Sequence, residues 1–209
     1  MHADLTHRVE SGMQTYPGDP TVTVREHASH AADGYRVAAL ALGSHSGTHV
    51  DAPAHTEPAG RTLDSYPPER FAFDAVRVDC RDLDARAAIG PERVPGEGDL
   101  VAFWTGWDDH WGTERYLDHP YLSPAAAERC AARGLAVGTD TLNPDPTPTD
   151  RATGDEPEGF QAHHALLGAD CLVIENLRNL GAAGDRFELR AYPLALAGNG
   201  APVRAVAVR

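Results

Sequence analysis

Short apolar runs separated by turn signals recur along most of the chain. Seven of them have the length of strands and are bounded by glycine, proline or polar residues. They occupy residues 21–24, 36–42, 75–78, 100–104, 172–174, 187–196 and 203–208. The segment Gly198-Asn199-Gly200 lies between the last two runs and is typical of a hairpin turn. The pattern therefore predicts a fold rich in strands.

Helical patterning is scarcer and is confined to two segments. Residues 124–133 follow Ser123, a favoured N-cap, and begin with Pro124, which suits the first helical position. A shorter helix is predicted for residues 162–167. We expect a mixed, strand-rich α/β fold with helices packed outside a central sheet or barrel. A chain of 209 residues fits one compact domain, so residues 1–209 are expected to form a single domain.

Composition and charge narrow the range of partners. Hydrophobic residues make up 42% and charged residues 23% of the chain, which is ordinary globular usage. No run of about 18 apolar residues is present that could span a bilayer. The 31 acidic residues exceed the 18 basic ones, which gives a net charge of −13, and no basic run occurs. Nucleic acid and membrane are therefore not expected as partners.

The N-terminus and the cysteines bear on the cellular location. Residues 1–8 are too polar to contain the apolar stretch of a signal peptide. Cys80, Cys130 and Cys171 are odd in number, lie far apart and form no CxxC pair. We expect them to be buried thiols in a reducing compartment, and the protein to be cytoplasmic.

Residues 143–159 contain four prolines and few apolar side chains. This composition predicts a long surface loop. Loops of that length in a compact domain are usually functional lids or disordered segments.

Four side chains that bind metals or transfer protons lie within eleven residues, namely His45, His49, Asp51 and His55. In an extended chain these odd-numbered positions face the same way, whereas a helix would turn Asp51 away from His45 and His49. Two imidazoles and a carboxylate are the ligands of an open catalytic site for zinc or a similar divalent cation. Such a cation acts as a Lewis acid and activates water at neutral pH. From the residues alone, His55 is a further ligand, a neighbour of the ligands or the acid/base.

A second group of candidate residues lies near the C-terminus. His163 and His164 fall in the predicted short helix, and an apolar strand over residues 171–174 delivers Glu175 at its end. A carboxylate directly after a buried strand is held rigidly, as site residues often are. Taken alone, Glu175 is equally well explained as a solvated charge at a strand end.

Together the two groups resemble the cyclase family, which includes bacterial kynurenine formamidase and the related isatin hydrolases. The likeness covers nearly the whole chain in the family's order. Its most specific part is His45-x-Gly47-Thr48-His49-x-Asp51-x-Pro53-x-His55. Further matches are Tyr16-Pro17-Gly18-Asp19, Thr105-Gly106-Trp107, Gly138-Thr139-Asp140 and the segment from His163 to Glu175-Asn176-Leu177.

The resemblance implies a role for each candidate residue. His45, His49 and Asp51 would bind a first metal ion. Asp51, His163 and Glu175 would hold a second ion where the site is binuclear, and His55 would be the proton donor and acceptor. His163 is favoured over its neighbour because the Leu-Leu-Gly that follows stands in the family's register. The cofactor would be one or two zinc ions, with manganese possible, since these ligands suit both metals.

The same resemblance implies a swivelling β/β/α fold that forms a dimer or larger homo-oligomer. The expected reaction is hydrolysis of an amide bond, in an N-formyl arylamine such as N-formylkynurenine or in a lactam, or of an ester or lactone. Metal-activated water would attack the carbonyl carbon while His55 carries the proton to the leaving group. No GxSxG segment is present to supply a serine nucleophile.

The sequence says less about the substrate than about the metal site, although a small aromatic or cyclic molecule is expected. Tyr16 matches a substrate-contacting position of the formamidases, and Trp107 is a second candidate, for which core packing is an equal alternative. The extended 143–159 segment could close over a different ligand. Two other functions stay open: a metal-assisted cyclase or dehydratase acting on a polyketide-like or other small cyclic metabolite, and a binding protein whose metal is fully coordinated by protein.

Overall fold

A computed structural model describes all 209 residues. Twelve strands and three helices follow one another along the chain, joined by seven short 3-10 turns. The strands are β1 (His2–Asp4), β2 (Thr23–Ala28), β3 (Val37–Ala41), β4 (His49–Asp51), β5 (Ala72–Asp79), β6 (Ala88–Ile89), β7 (Leu100–Trp104), β8 (Tyr121–Leu122), β9 (Ala136–Thr139), β10 (Val173–Glu175), β11 (Arg186–Pro193) and β12 (Gly200–Val208). The helices are α1 (His30–Asp33), α2 (Pro124–Ala132) and α3 (Gln161–Leu167).

Seven strands close into a barrel. Their order is β12-β11-β5-β7-β9-β10-β4, and the last of them pairs back onto β12, while β1 extends the sheet at its edge. Strands β5, β7, β9 and β10 run parallel to one another, and the other pairs are antiparallel. The structure confirms the predicted strand-rich α/β fold with few helices outside a central barrel.

The alternation of side chains along β7 shows how two cores arise from one sheet. Leu100 and Ala102 belong to a cluster of 23 buried residues that fills the barrel. Val101 and Phe103 point the other way, into a cluster of 16 residues that lies between the sheet and helices α2 and α3. A strand buried on both faces reads as a continuous apolar run, which is why this element was readable from the sequence.

Both predicted helices are present. Ser123 caps α2 through a hydrogen bond that its hydroxyl accepts from the Ala126 amide, and Pro124 occupies the first turn. Helix α3 spans Gln161–Leu167, one residue longer than expected. The hairpin at Gly198–Gly200 is confirmed, since β12 begins at Gly200 and pairs with β11.

Strands β2 and β3 form a separate two-stranded ribbon outside the barrel. Its apolar side chains are poorly covered: Val37 is 42% exposed and Leu40 is 57% exposed. Nearby Tyr35 is 57% exposed as well. This ribbon buries little of itself against the rest of the chain.

The prediction of a surface loop over residues 143–159 is wrong for its first part. Asn143, Asp145 and Thr147 are buried. Their polar groups are satisfied by one another and by neighbours, as when the Asn143 side-chain amide donates to the Thr147 hydroxyl over 2.9 Å. Farther along, Glu156 forms a partly buried ion pair with Arg86. Hydrogen bonding, which composition does not reveal, is what brings this polar segment inside.

Two smaller expectations concern the cysteines and the membrane. Cys80, Cys130 and Cys171 are buried and free, as predicted. No helix of the structure combines the length and the apolar character needed to cross a membrane.

Candidate metal centre

Pairing between β4 and β10 brings three of the candidate ligands together. The two strands are antiparallel, with His49 opposite Glu175 and Asp51 opposite Val173. His49 and Asp51 lie two residues apart, so their side chains emerge on the same face. All three polar side chains are buried, with residue exposures of 5% or less. The strand register therefore fixes a carboxylate–imidazole–carboxylate group within the barrel wall.

His45 and His55 reach this group through turns on either side of β4. Gly47 has a φ of +64°, a left-handed conformation that glycine adopts without strain, and it turns the chain so that His45 Nδ1 lies 2.7 Å from Asp51 Oδ1. The 3-10 turn Pro53–His55 then places the His55 ring 3.9 Å from the His45 ring. The four residues converge, but the expectation of one extended chain from His45 to His55 is wrong.

Helix α3 supplies the remaining imidazole from the opposite side. His163 Nε2 lies 3.1 Å from Glu175 Oε1 and 3.7 Å from Asp51 Oδ2. The side chain of His164 instead is 57% exposed and lies 2.8 Å from Glu57. The structure places His163 at the site and His164 on the surface, in agreement with the choice that the family resemblance implied.

The protonation of the two buried imidazoles follows from their outer partners. His49 Nδ1 lies 2.7 Å from the carbonyl oxygen of Gly47, and His163 Nδ1 lies 2.6 Å from Asp145 Oδ2. A carbonyl or carboxylate oxygen only accepts, so both Nδ1 atoms carry hydrogen. Nε2 is then the nitrogen that remains available to become a ligand when its hydrogen leaves, and in both residues that atom faces the carboxylates of Asp51 and Glu175.

Buried polar atoms without a hydrogen-bond partner are concentrated among the candidate metal ligands. Four buried side-chain atoms of the protein lack a hydrogen-bond partner, and three of them are His45 Nε2, His49 Nε2 and Asp51 Oδ2. Although carboxylate oxygens lie 3.1–3.2 Å from His49 Nε2, none is in hydrogen-bond geometry with it. Buried polar atoms are normally paired, so three orphans at one point indicate a group that binds them.

The electrostatics of the site call for positive charge. Burial lowers the pKa of His49, but the carboxylates of Asp51 and Glu175 outweigh it and raise the pKa well above 6.5. Burial raises the pKa of Asp51, but the charges of His49 and His45 outweigh it and bring the pKa well below 3.8. Two carboxylates in so small a volume repel each other unless a cation lies between them.

These residues fit a divalent cation. His49, Asp51 and Glu175 each offer an atom within 4.8 Å of the others, and the same holds for His45, Asp51 and His55. Buried imidazole and carboxylate donors with lone pairs directed at one point are the ligand set of zinc and manganese sites.

Hydrogen bonds join residues of the other motifs that the sequence analysis singled out. The Asp140 carboxylate accepts hydrogen bonds from the Thr105 hydroxyl over 2.6 Å and from the Gly106 amide over 2.7 Å, which joins two of the motifs singled out above. Burial raises the pKa of Asp140 to about 7 against the effect of these donors. Tyr116 donates to Asn176 Oδ1 over 2.9 Å and so holds the residue that follows Glu175.

A cavity of about 190 Å³ opens onto the metal ligands. Its apolar lining consists of Tyr16, Leu142 and Phe160, and Gln14 and Asn143 are among the polar residues. No arginine lines it, and the chain contains no lysine. A bound molecule therefore forms no ion pair with a lysine or an arginine of the cavity wall.

The two predicted substrate residues lie in different places. Tyr16 lines the cavity. Trp107 is 5% exposed and packs with Tyr116 and Leu142, and its Nε1 donates to the Arg115 carbonyl over 3.2 Å. Trp107 is not among the residues that line the cavity. Its contact with a substrate stays a prediction.

Sequence reasoning missed Asp145 and Phe160. Phe160 precedes His163 by three residues, a spacing that puts both on one side of a helix start and could have identified it as a wall residue. Asp145 lies between two prolines in a segment whose composition favours a loop, and no local pattern reveals its burial.

The fold and the site define a strand barrel that carries a histidine–carboxylate metal centre under a small cavity. The sequence model described as "Putative cyclase" matches residues 3–146. A kynurenine formamidase of Salinibacter ruber is 31% identical over 97% of this chain and 95% of its own length. The chain therefore belongs to the cyclase family.

Solved structures show the same fold. A crystal structure of an isatin hydrolase bound to the product analogue thioisatinate superposes with a TM-score of 0.86 at 24% identity, over 99% of this chain and 91% of that one. The structure of a potential metal-dependent hydrolase with cyclase activity gives a TM-score of 0.79 at 24% identity, over 99% and 96% of the two chains.

Proposed function

We infer that this protein is a metal-dependent hydrolase of amide bonds, of the arylformamidase type. Its family membership and a kynurenine formamidase relative support the reaction class. The observation that carries the inference is the pair of buried imidazoles, His49 and His163, whose Nε2 atoms face the carboxylates of Asp51 and Glu175. A cation at the centre would balance the charge of the two carboxylates and take the Nε2 atoms as ligands.

We propose zinc as the cofactor, in one or two ions, with manganese as the alternative. His45, His49 and Asp51 would hold the first ion, and Asp51, His163 and Glu175 the second where two are bound. The bound cation supplies Lewis acidity, which polarises a carbonyl group and activates water. The orphaned atoms of His45, His49 and Asp51 support this assignment.

His55 is proposed as the acid/base. Its side chain lines the cavity beside His45, and it is the most exposed of the site histidines. Desolvation lowers the pKa of His55, and this effect, together with the charges of His45 and His163, outweighs the opposing effect of the Asp51 and Glu175 carboxylates. A base with such a pKa is unprotonated at neutral pH, accepts a proton from water and delivers it to the leaving nitrogen.

The substrate is proposed to be a small aromatic amide, either an N-formyl arylamine such as N-formylkynurenine or an isatin-like lactam. The names of the relatives, kynurenine formamidase and isatin hydrolase, support both choices. Tyr16 and Phe160 have ring centroids 6.3 Å apart at the cavity wall and would contact a planar ring. Gln14, Asn143 and Asn176 also line the cavity, and their side-chain amides are held in position by hydrogen bonds within the protein.

We further propose a cytoplasmic, single-domain protein that assembles as a homodimer or larger oligomer. The three free, buried thiols support the compartment. The β2–β3 ribbon, whose Val37 and Leu40 are exposed, supports assembly because an isolated two-stranded ribbon is only marginally stable.

One experiment tests the proposed function. The protein is stripped of metal with a chelator, reloaded with Zn²⁺ or Mn²⁺ and assayed on N-formyl arylamines, isatin-like lactams and small lactones. We expect activity only in the reloaded protein, with release of formate or of the ring-opened acid. Equal activity in the stripped protein, or formation of a cyclised or dehydrated product instead, would overturn the proposal.

A further inference from the structure

Asp145 is a buried carboxylate that the family resemblance did not single out. It lies in the proline-rich segment and is 0% exposed. Its backbone amide donates to Asn143 Oδ1 over 2.8 Å, and prolines flank it on both sides in the sequence. Asn143 itself is held by its bond to Thr147. The position of the Asp145 carboxylate is therefore fixed by neighbours that restrict its backbone.

The two oxygens of Asp145 have separate partners. Oδ1 accepts a hydrogen bond from the Ala162 amide over 2.7 Å, at the start of α3. Oδ2 accepts from the His163 amide over 3.1 Å and from the His163 ring, at Nδ1, over 2.6 Å. The contact to the ring is the shortest of the three. A helix cap needs only one such oxygen, so the bond to the imidazole serves a different purpose.

The ring contact determines which nitrogen of His163 is free. Because Nδ1 donates to Asp145, the neutral ring has its lone pair on Nε2. That atom is the one that lies 3.1 Å from Glu175 and 3.7 Å from Asp51. A ligand histidine commonly donates its other ring hydrogen to a carboxylate, which sets its tautomer and orientation.

We propose that Asp145 is a positioning residue, which fixes the tautomer and the direction of His163 so that Nε2 binds the divalent cation. The inference rests on the proposed function, because it requires a cation at this point. It assigns a role to the segment over residues 143–159 that differs from a lid: the buried start of the segment holds a ligand in place.

Asp145→Asn separates the two roles of the carboxylate. The amide oxygen of asparagine still accepts from the Ala162 amide and keeps that half of the cap, while the bond from the His163 backbone amide is lost. Its NH₂ group, however, faces His163 Nδ1 and favours the tautomer that carries hydrogen on Nε2. A proton on that nitrogen excludes the metal. The variant should therefore fold like the wild type and bind Zn²⁺ less tightly.

Asp118→Asn is the matched control. Asp118 is a buried carboxylate of the same region, bonded to Arg86, Thr149 and Arg151, and it touches no site histidine. Substituting it loosens the same segment without acting on the imidazole. Thermal melting of the metal-free proteins and Zn²⁺ affinity by competition with a chelator are measured for both variants and for the wild type.

We expect Asp145→Asn to melt close to the wild type and to lose about 10- to 100-fold in Zn²⁺ affinity, while Asp118→Asn keeps its affinity. In a His163→Ala background, Asp145→Asn should cause no further loss. Unchanged affinity in Asp145→Asn, equal losses in both aspartate variants, or a full additional loss in the double variant would each overturn the inference. If Asp145→Asn does not fold, Asp145→Ala is measured instead, and a folded alanine variant with the Zn²⁺ affinity of the wild type contradicts the proposal.

These outcomes are distinct from a failure of the proposed function. A wild-type protein that binds no divalent cation would refute the metal centre itself. A wild-type protein that binds Zn²⁺ tightly, together with an equally tight Asp145→Asn variant, would refute the positioning role alone.

Discussion

The role of a site histidine depends on which of its ring nitrogens is already occupied. His49 and His163 each have Nδ1 bonded to an outer acceptor, which leaves Nε2 for a ligand. Neither ring nitrogen of His55 has a hydrogen-bond partner within the protein, and its ring lines the cavity. The local environment therefore assigns two histidines to binding and makes the third available for proton transfer.

Substitution of His55 tests this division. His55→Ala should retain the metal content of the wild type, because the buried ligands remain, and should lose turnover by about two to four orders of magnitude. Metal content is measured by elemental analysis and turnover by hydrolysis of an N-formyl arylamine. Loss of metal together with activity would reassign His55 as a ligand.

A buried histidine away from the site predicts a pH-dependent stability. His119 donates through Nδ1 to the Pro120 carbonyl over 2.8 Å, and the Nε2 atom of the neutral ring accepts from the Thr147 hydroxyl over 2.9 Å. Burial lowers its pKa from 6.5 to about 4. Between these values the unfolded chain binds a proton that the folded protein excludes, so the free energy of unfolding falls as the pH is lowered from 6.5 to 4.

The shift corresponds to a loss of about 3 kcal/mol over that interval. Denaturant unfolding at a series of pH values measures it, with His119→Gln as the comparison. In the glutamine variant, the free energy of unfolding should fall by about 3 kcal/mol less between pH 6.5 and pH 4, even if the variant is less stable at every pH. Parallel curves for the two proteins would show that His119 does not contribute.

At the scale of elements, the start of β12 shapes the metal centre. A Cβ atom built on Gly200 would lie 2.5 Å from Cε1 of His45, closer than atoms of two residues can approach. His45 therefore packs directly on the backbone of a barrel strand. A side chain at position 200 must displace the imidazole.

Gly200→Ala should accordingly weaken Zn²⁺ binding while leaving the fold intact. Gly198→Ala is the matched control in the same turn, since its added Cβ meets the flexible Leu196 side chain at 3.3 Å and otherwise makes an ordinary contact with the Gly200 carbonyl oxygen at 3.6 Å. Zn²⁺ affinity and circular dichroism are compared for the two variants. Equal affinity in both would show that the position of His45 is not set by this contact.

Much of the architecture could be predicted because apolar runs mark buried strands. Strand β7 coincides with the predicted residues 100–104, and the hairpin before β12 lies where glycine and asparagine place it. Strands β1, β4, β6, β8 and β9 were missed, since strands of two to four residues carry little pattern unless, like β10, they lie in an apolar run. Pairing of β4 with β12, which closes the barrel, joins residues about 150 positions apart and leaves no local signal.

The candidate site could be predicted as far as residue types concentrate in the sequence. His45, His49, Asp51 and His55 stand out by their density, and the structure brings them together. The burial of Asp145 depends on hydrogen bonds to Asn143 and α3, partners that lie within a polar segment and a helix start. Contacts between segments distant in sequence produce no periodic pattern of residue types, so they cannot be predicted from the sequence.

For the molecule as a whole, the barrel explains why distant parts of the chain act together. Strands β4 and β10 lie side by side in its wall, and α3 packs against the cluster of 16 buried residues outside the barrel. Ligands separated by more than 100 positions in sequence are thereby held within a few ångströms. A rigid barrel carries the ligands, and the segments before β2 and before α3 supply the cavity residues Tyr16 and Phe160.

The most direct measurement of the central claim is anomalous diffraction at the zinc edge, from crystals grown with Zn²⁺. We predict a peak bonded to Nε2 of His49 at about 2.0–2.1 Å, with Asp51 within the same coordination shell and Glu175 at its border or on a second ion. A map from metal-replete crystals with these side chains in place and no peak among them would contradict the account.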